Sequence, residues 1–359
     1  MKYIDEFRKK ELILGVAAEL KKISKKEISI MEVCGGHTMA IHRFGLKSML
    51  PANIRLLSGP GCPVCVSSQH FLDMAIAYSN ITGVIVTTYG DLIRVPGSIS
   101  SLEKEKAKGN DIRIIYSVLE SLQIAKMNPE KKVIFLGIGF ETTAPATAAA
   151  IIQVKKEKIT NFFVLSAHKI MPPVMKALVK EGVKIDGFIA PGHVTAITGT
   201  AIYSDLAKVH GLGVVVSGFE PADMMQSILM LVRQFQLGKP RVENQYHRVV
   251  HPGGNKIAME LLTKVFKPGD DLWRGLGVIP KSGLKIRETF SSFDAEKQFK
   301  VKLPVPVEPK GCICGLILRG LKTPNDCPLF AKKCTPSDPI GACMVSGEGT
   351  CATYYKYRS

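Results

Sequence analysis

From residue 28 the chain repeats one pattern of hydrophobic and polar positions. A short β-branched run is followed by a turn rich in Gly, Ser or Thr and then by a stretch of helical periodicity. The first group of runs is Ile28–Val33, Ile54–Ser58, Gly83–Thr88 and Ile112–Ser117. The second is Lys132–Leu136, Asn161–Ser166, Gly187–Ala190 and Gly213–Ser217. Strands alternating with helices predict parallel sheets joined by crossovers. Two sets of about four strands predict two α/β domains rather than one very wide sheet. The break falls near Met127–Lys131, so the expected domains are 28–128 and 129–240.

After Pro240 the pattern decays. Gly253–Gly254, Pro268–Gly269 and Ser282–Gly283 punctuate it, and Leu303–Pro309 reads as a semi-extended linker. A cysteine-rich tail follows, with little periodicity. Small irregular segments of this kind are organised by a metal more often than by a core. The N-terminal stretch is an amphipathic helix with no obvious place in the first sheet. Residues 1–27 and 241–359 are therefore expected to form a third, cysteine-rich unit.

Composition narrows the class. The chain has 359 residues, 46% hydrophobic and 22% charged, which suits a globular, soluble protein of two or three domains. The N-terminus lacks an apolar signal core, and runs such as Leu212–Ser217 are far below membrane-spanning length. A cytoplasmic location with no membrane partner is expected. Nine cysteines, an odd count, then point to metal ligation or redox chemistry rather than a disulfide framework. The net charge of +17 raises nucleic acid as a partner. The lysines are scattered, however, and no Arg-rich stripe interleaves with aromatics, so a solvated helical surface is the preferred reading.

The cysteines are segregated. Cys34 lies in MEVCGGHTM, where a strand gives way to a helix. Gly35 and Gly36 let backbone approach a ligand closely, and His37 is a candidate proton carrier. Cys62 and Cys65 form a C-x-x-C in GPGCPVC at the next strand–helix junction. A helix N-terminus there is expected to favour the thiolate, the setting of a reversible dithiol. Strand ends of one polarity share an edge, so these three thiols should converge with Thr88, Tyr89, Gly90 and Asp91. The competing reading is a buried Cys34 beside half a zinc site. Glu141, His168, His193 and Glu220 sit at later strand ends and are candidates to line a cleft; GIGFETT is a poor dinucleotide fingerprint because Thr142 takes the third glycine position.

The tail carries Cys312, Cys314, Cys327, Cys334, Cys343 and Cys351. Six thiols divide into four ligands and a leftover pair. All-thiolate sets suit [4Fe–4S] clusters or zinc, and a redox pair alongside favours the cluster. A zinc knot with spare cysteines is the alternative.

These motifs together resemble the HypD family of [NiFe]-hydrogenase maturation proteins. CGGHTM, GPGCPVC, GFETT, PGHV, ENQY, WRGLGVIPKSGL, FDAEKQF, GCICG, DCPLF and GACMVSGEGTCATYYKY occur in order from residue 34 to 357. The resemblance implies two similar α/β domains plus a [4Fe–4S] domain. Its cluster spacing, C-x14-C-x6-C-x16-C, falls on Cys312, Cys327, Cys334 and Cys351. That leaves Cys314 and Cys343 as a redox pair, an arrangement similar to ferredoxin–thioredoxin reductase. The resemblance further implies that Cys34 helps hold iron, with Cys62 and Cys65 as a nearby dithiol. The implied function is assembly of the Fe(CN)2CO group in a complex with HypC, with HypE delivering cyanide. A monomer before complex formation is expected. The protein would be a redox-active scaffold rather than a turnover enzyme. A cluster-dependent disulfide reductase is the alternative. The residues by themselves lead to an iron–sulfur thiol redox protein; the cyanide chemistry rests on the resemblance.

Overall fold

A computed structural model describes residues 2 and 4–357. All eight expected strands form: β1 (Ile28–Glu32), β2 (Ile54–Ser58), β3 (Val84–Thr88), β4 (Ile112–Ile114), β5 (Lys132–Gly139), β6 (Phe162–His168), β7 (Gly187–Pro191) and β8 (Gly213–Ser217). Three more follow: β9 (Val242–Asn244), β10 (Phe266–Trp273) and β11 (Gly277–Ile286). Strands β1, β3, β7 and β8 are buried along their whole length. Continuous apolar runs are the mark of parallel strands covered on both faces.

The strands are grouped differently from their order in the sequence. One parallel sheet runs β2-β1-β7-β8-β9 and the other β4-β3-β5-β6. Strand β1 pairs with β7, Ile30 opposite Gly187 and Glu32 opposite Ile189. The chain thus begins one sheet, builds the whole of the other, and returns to finish the first. The expected boundaries 28–128 and 129–240 do not match this grouping. Hydrophobic periodicity marks each strand but carries no information on its lateral neighbour. The two α/β layers themselves are present.

The N-terminal and C-terminal segments are also placed differently. Helix Lys10–Ile23 packs Ile13, Val16, Ala17 and Leu20 into a core shared with Ile28, Ile30, Met225 and Ile228. It covers the five-stranded sheet beside helix Pro221–Leu237, not the tail. Helix Lys256–Val265 and the β10–β11 hairpin join the other sheet: Leu262, Val265, Phe266, Leu284 and Ile286 share a core with Phe135 and Phe162. Lys169 is buried and ties β6 to the hairpin, donating to Asp271 Oδ2 at 2.6 Å and to the Leu272 carbonyl at 2.9 Å.

Residues 311–356 are irregular but form no separate domain. Ile317, Leu318, Ala342, Cys343, Met344 and Val345 lie in one core with Met31, Val33, Leu57, Cys65 and Val66. Arg94 fastens the segment, donating to the carbonyls of Pro336 and Val345. The expected independent cysteine-rich domain is instead a segment folded onto the α/β body. Among the described residues, no helix is long and apolar enough to cross a membrane.

Candidate functional site

The C-terminal ends of β1, β5 and β7 meet around one cavity of about 290 Å3. Cys34, Gly61, Gly139, Phe140, Thr142, Thr143, Met171, Pro191, His193 and Glu348 are among its walls. Both sheets contribute, so the interleaved topology builds the site. Helices Gly35–Arg43, Ala144–Lys156, Met171–Lys180 and Gly192–Thr198 all begin at this cavity. Their first-turn N–H groups have no intrahelical partner and carry partial positive charge.

Cys34 is the N-cap of helix Gly35–Arg43, in extended conformation at φ −147 and ψ 125. Its thiol keeps some exposure, yet burial pushes it up to about 12, with Glu348 adding to the rise. The N–H groups of Gly36 and His37 act in the opposite sense but do not prevail. The free thiol is therefore protonated at neutral pH, and a metal ion bound there has to displace the proton. Two glycines make room for this arrangement. A methyl group on Gly35 would overlap the backbone of Glu348, and one on Gly61 would overlap the backbone of Cys34.

Just beneath the cavity, Glu32 is 1% exposed. It accepts hydrogen bonds from the Thr38 hydroxyl and, at 3.2 Å, from the Cys34 N–H. Burial pushes its carboxyl up to about 8. Neither Glu32 nor Glu348 stood out in the sequence. Glu32 has a local signal, an acid two residues before Cys34; Glu348 has none, because it reaches the cavity only through the folding of the tail.

His37 does not line the cavity. It is fully buried, its Nε2 lies 3.3 Å from the Ser217 carbonyl, and its ring stacks on Phe219 at 4.6 Å. Burial lowers it to about 4, so it is neutral at pH 7. Its ring thus faces Phe219 and the Ser217 carbonyl, and neither His37 nor Phe219 is among the cavity walls. His193 stacks on Phe219 at 4.1 Å and does line the cavity.

The other candidates scatter. Glu141 lies behind the wall, taking the Met171 N–H at 3.0 Å and rising to about 7 through burial. His168 is buried against Thr147 at 3.0 Å and falls to about 3 for the same reason. Glu220 pairs with Arg8 in an adjoining groove. Thr88 and Tyr89 belong to the other sheet, though Asp91 lies close enough to Glu348 to raise it further after burial has done so.

Cys62 is the N-cap of helix Pro63–Val66, a single turn that contains Cys65, and the Cys65 N–H points at Cys62 Sγ at 3.3 Å. The expected lowering of the thiol by the helix N-terminus fails at Cys65. Burial pushes it well up, and hydrogen bonding with Cys343 and Cys62 adds to the rise. One turn of helix carries too small a dipole to offset removal from water.

That bond to Cys343 joins the two ends of the sequence. Cys314, Cys351 and Cys65 lie near enough to the Cys343 sulfur to interact with it, and those neighbouring thiols lower Cys343. Cys314 in turn raises Cys312 beside it. The sulfurs form a succession from Cys62 through Cys65 and Cys343 to Cys314 and Cys351, and on to Cys312. The far end opens on a pocket walled by Cys312, Cys314, Cys327, Cys334 and Cys351 with Ile317, Leu329, Phe330 and Met344. Cys334 Sγ there accepts the Ile340 N–H at 3.3 Å. Among the described residues, no three His, Cys, Asp or Glu side chains come together as ligands of a single metal ion.

Comparison with known proteins agrees with this geometry. The family model described as "HypD: Hydrogenase formation hypA family" matches residues 10–358. The hydrogenase maturation factor HypD2 of Bradyrhizobium diazoefficiens is 48% identical over 369 residues, covering 99% of this chain and 97% of its own. The hydrogenase maturation factors HypD of Azotobacter vinelandii and Cupriavidus necator are each 46% identical, at the same coverage. The chain therefore belongs to the HypD family and has a role in [NiFe]-hydrogenase maturation.

Proposed function

We propose that the inter-sheet cavity holds iron as cargo on Cys34 while its CN and CO ligands are added, in a complex with a HypC-type partner and with cyanide delivered by a HypE-type partner. The observation that carries this reading is the succession of neighbouring thiols from Cys62, which sits between the cavity-lining Gly61 and Pro63, to the cysteine-lined pocket. Electrons needed at the cavity have a route built only of this chain's thiols.

The pocket's donors are all soft and its other walls apolar, a set that fits an iron–sulfur cluster better than a hard cation. Cys312, Cys327, Cys334 and Cys351 would hold a [4Fe–4S] group, each on a different iron, so the four need not converge on one point. When bound, it would supply electrons to the neighbouring disulfide one at a time.

The protein's own steps follow from thiol geometry. Cys343, with the Cys314 thiol beside it to stabilise the thiolate as it forms, attacks Cys65 of an oxidised Cys62–Cys65 pair. A Cys65–Cys343 disulfide forms and Cys62 leaves as a thiolate. Cys314 then attacks Cys343, freeing Cys65 and leaving a Cys314–Cys343 disulfide. One disulfide and one dithiol have exchanged places. The restored Cys62/Cys65 dithiol can release cyanide from a thiocyanate: RSCN and two thiols give RSH, HCN and a disulfide. His193, in the wall, is the group placed to carry the proton.

The disulfide-reductase alternative requires an external disulfide to reach this relay. Cys65 and Cys343 are both 0% exposed, which favours a relay that serves the cavity rather than a second protein. The test is anaerobic reduction of the cluster-loaded chain after oxidation of its Cys62–Cys65 pair. The wild type regains both thiols, and Cys343→Ser does not. Equal recovery in the two would refute the relay.

A further inference from the structure

We propose that Glu32 is a positioning residue that keeps Cys34 out of disulfide exchange with Cys62, by gripping both thiol turns at once. Its functional meaning rests on Cys34 being the thiolate for iron; its geometry does not.

Glu32 is the last residue of β1, and its register partner on β2 is Ser58. Its side chain is buried, and its carboxyl oxygens and backbone carbonyl are engaged toward the two turns. On the Cys34 side, one carboxyl oxygen takes the Thr38 hydroxyl and the other takes the Cys34 N–H at 3.2 Å. On the Cys62 side, its backbone carbonyl takes the Gly59 N–H at 2.8 Å.

The two turns lie in contact. The backbone of Gly61 rests against the Cα and N of Cys34, closely enough to exclude a methyl group. Cys62 is the next residue, about 3.8 Å further along the Cα trace. A disulfide spans Cα separations of about 4.4–6.8 Å. Cys34 and Cys62 are thus neighbours across this contact, and the direction of their thiols bears on whether they pair. Cys34 faces the N–H groups of Gly36 and His37 on its own helix, and Cys62 faces the N–H of Cys65 on its own. The extended N-cap conformation that turns Cys34 this way is fixed at its N–H by Glu32. A Cys34–Cys62 bond would remove the iron thiolate and the working dithiol together.

The test uses the full chain, purified reduced and free of iron, then exposed to oxidised glutathione. Two protein thiols lose two hydrogens, one disulfide forms, and two molecules of glutathione are released. Alkylation and peptide mass spectrometry then map each cysteine. In the wild type Cys62 pairs with Cys65 and Cys34 is alkylated. In Glu32→Ala the Cys34–Cys62 peptide rises at least tenfold. Glu32→Gln restores the wild-type map, because the amide oxygen can take the Cys34 N–H while the Thr38 hydroxyl reverses to accept. Should Glu32→Ala fail to fold, Thr38→Val decides alone: it frees one carboxyl oxygen, and a rise of about threefold is expected. A wild-type map in the folded variant overturns the proposal. The map is read without iron, so a failure of the Cys34–iron reading leaves it unaffected.

Discussion

Cys65 and Cys343 lie against each other in the core, Cys65 Sγ standing 4.0 Å from the carbonyl of Ala342, 277 residues further along. This contact makes the two cysteine groups of the sequence one continuous network. It predicts a trapped species. In Cys62→Ser, Cys65 has lost its local partner, and mild oxidation should yield a Cys65–Cys343 disulfide as the main product by peptide mapping. Recovery of Cys65 as a free thiol would mean the two sulfurs do not meet.

The division of the tail cysteines makes a second prediction. Cys314 and Cys351 both touch Cys343, so geometry alone does not choose between them as ligand. If Cys351 is the ligand, Cys351→Ser and Cys334→Ser lose bound iron and sulfide, whereas Cys314→Ser keeps both and loses only relay activity. Iron and sulfide analysis with visible absorption decides it; loss in Cys314→Ser and retention in Cys351→Ser would reverse the assignment.

Close backbone approach at the cavity sets a stability prediction. Gly61→Ala places a methyl group against the Cys34 backbone, which cannot yield as a flexible side chain can. Overpacking of this kind costs about 1–3 kcal/mol. Gly15 stands within helix Lys10–Ile23 with open space around it. Gly15→Ala should stabilise by about 0.5–1 kcal/mol. Thermal melts of the two variants should move in opposite directions.

Glu141 gives a pH dependence with a definite sign. Burial raises its carboxyl from 4.5 to about 7 in the folded chain. The folded state then holds a proton that the unfolded state releases, so this group's contribution is full below pH 4.5 and is lost as pH rises through about 7. Glu141→Gln removes the loss while its amide oxygen still accepts the Met171 N–H. Relative to the wild type, the variant should gain stability between pH 4.5 and 7.5, by up to about 3 kcal/mol. His168, lowered to about 3, acts in the opposite sense and is common to both proteins. Denaturant melts at several pH values check the difference; a constant gap across the range contradicts it.

The eight strands and both N-terminal thiol turns were legible in the sequence, because apolar periodicity and glycine-rich turns are local properties. Sheet membership was not. Pairing of β1 with β7 joins residues some 157 apart, as the bond from the Ser29 N–H to Asp186 shows, and no local pattern records it. The candidate site was half legible for the same reason. Cys34, Cys62 and Cys65 announce themselves by residue type, whereas Glu348 reaches the cavity only through the packing of the tail. The surroundings of His37 were not legible either, because its contacts with Phe219 and the Ser217 carbonyl come from residues some 180 positions away.

The central claim is that Cys34 holds iron while its ligands are added. Infrared spectroscopy tests it most directly, on the chain produced anaerobically together with a HypC-type partner. The wild-type complex should show CN and CO stretching bands. Cys34→Ala should lose them while keeping the visible absorption of the cluster. Persistence of the CN and CO bands in Cys34→Ala would contradict the account.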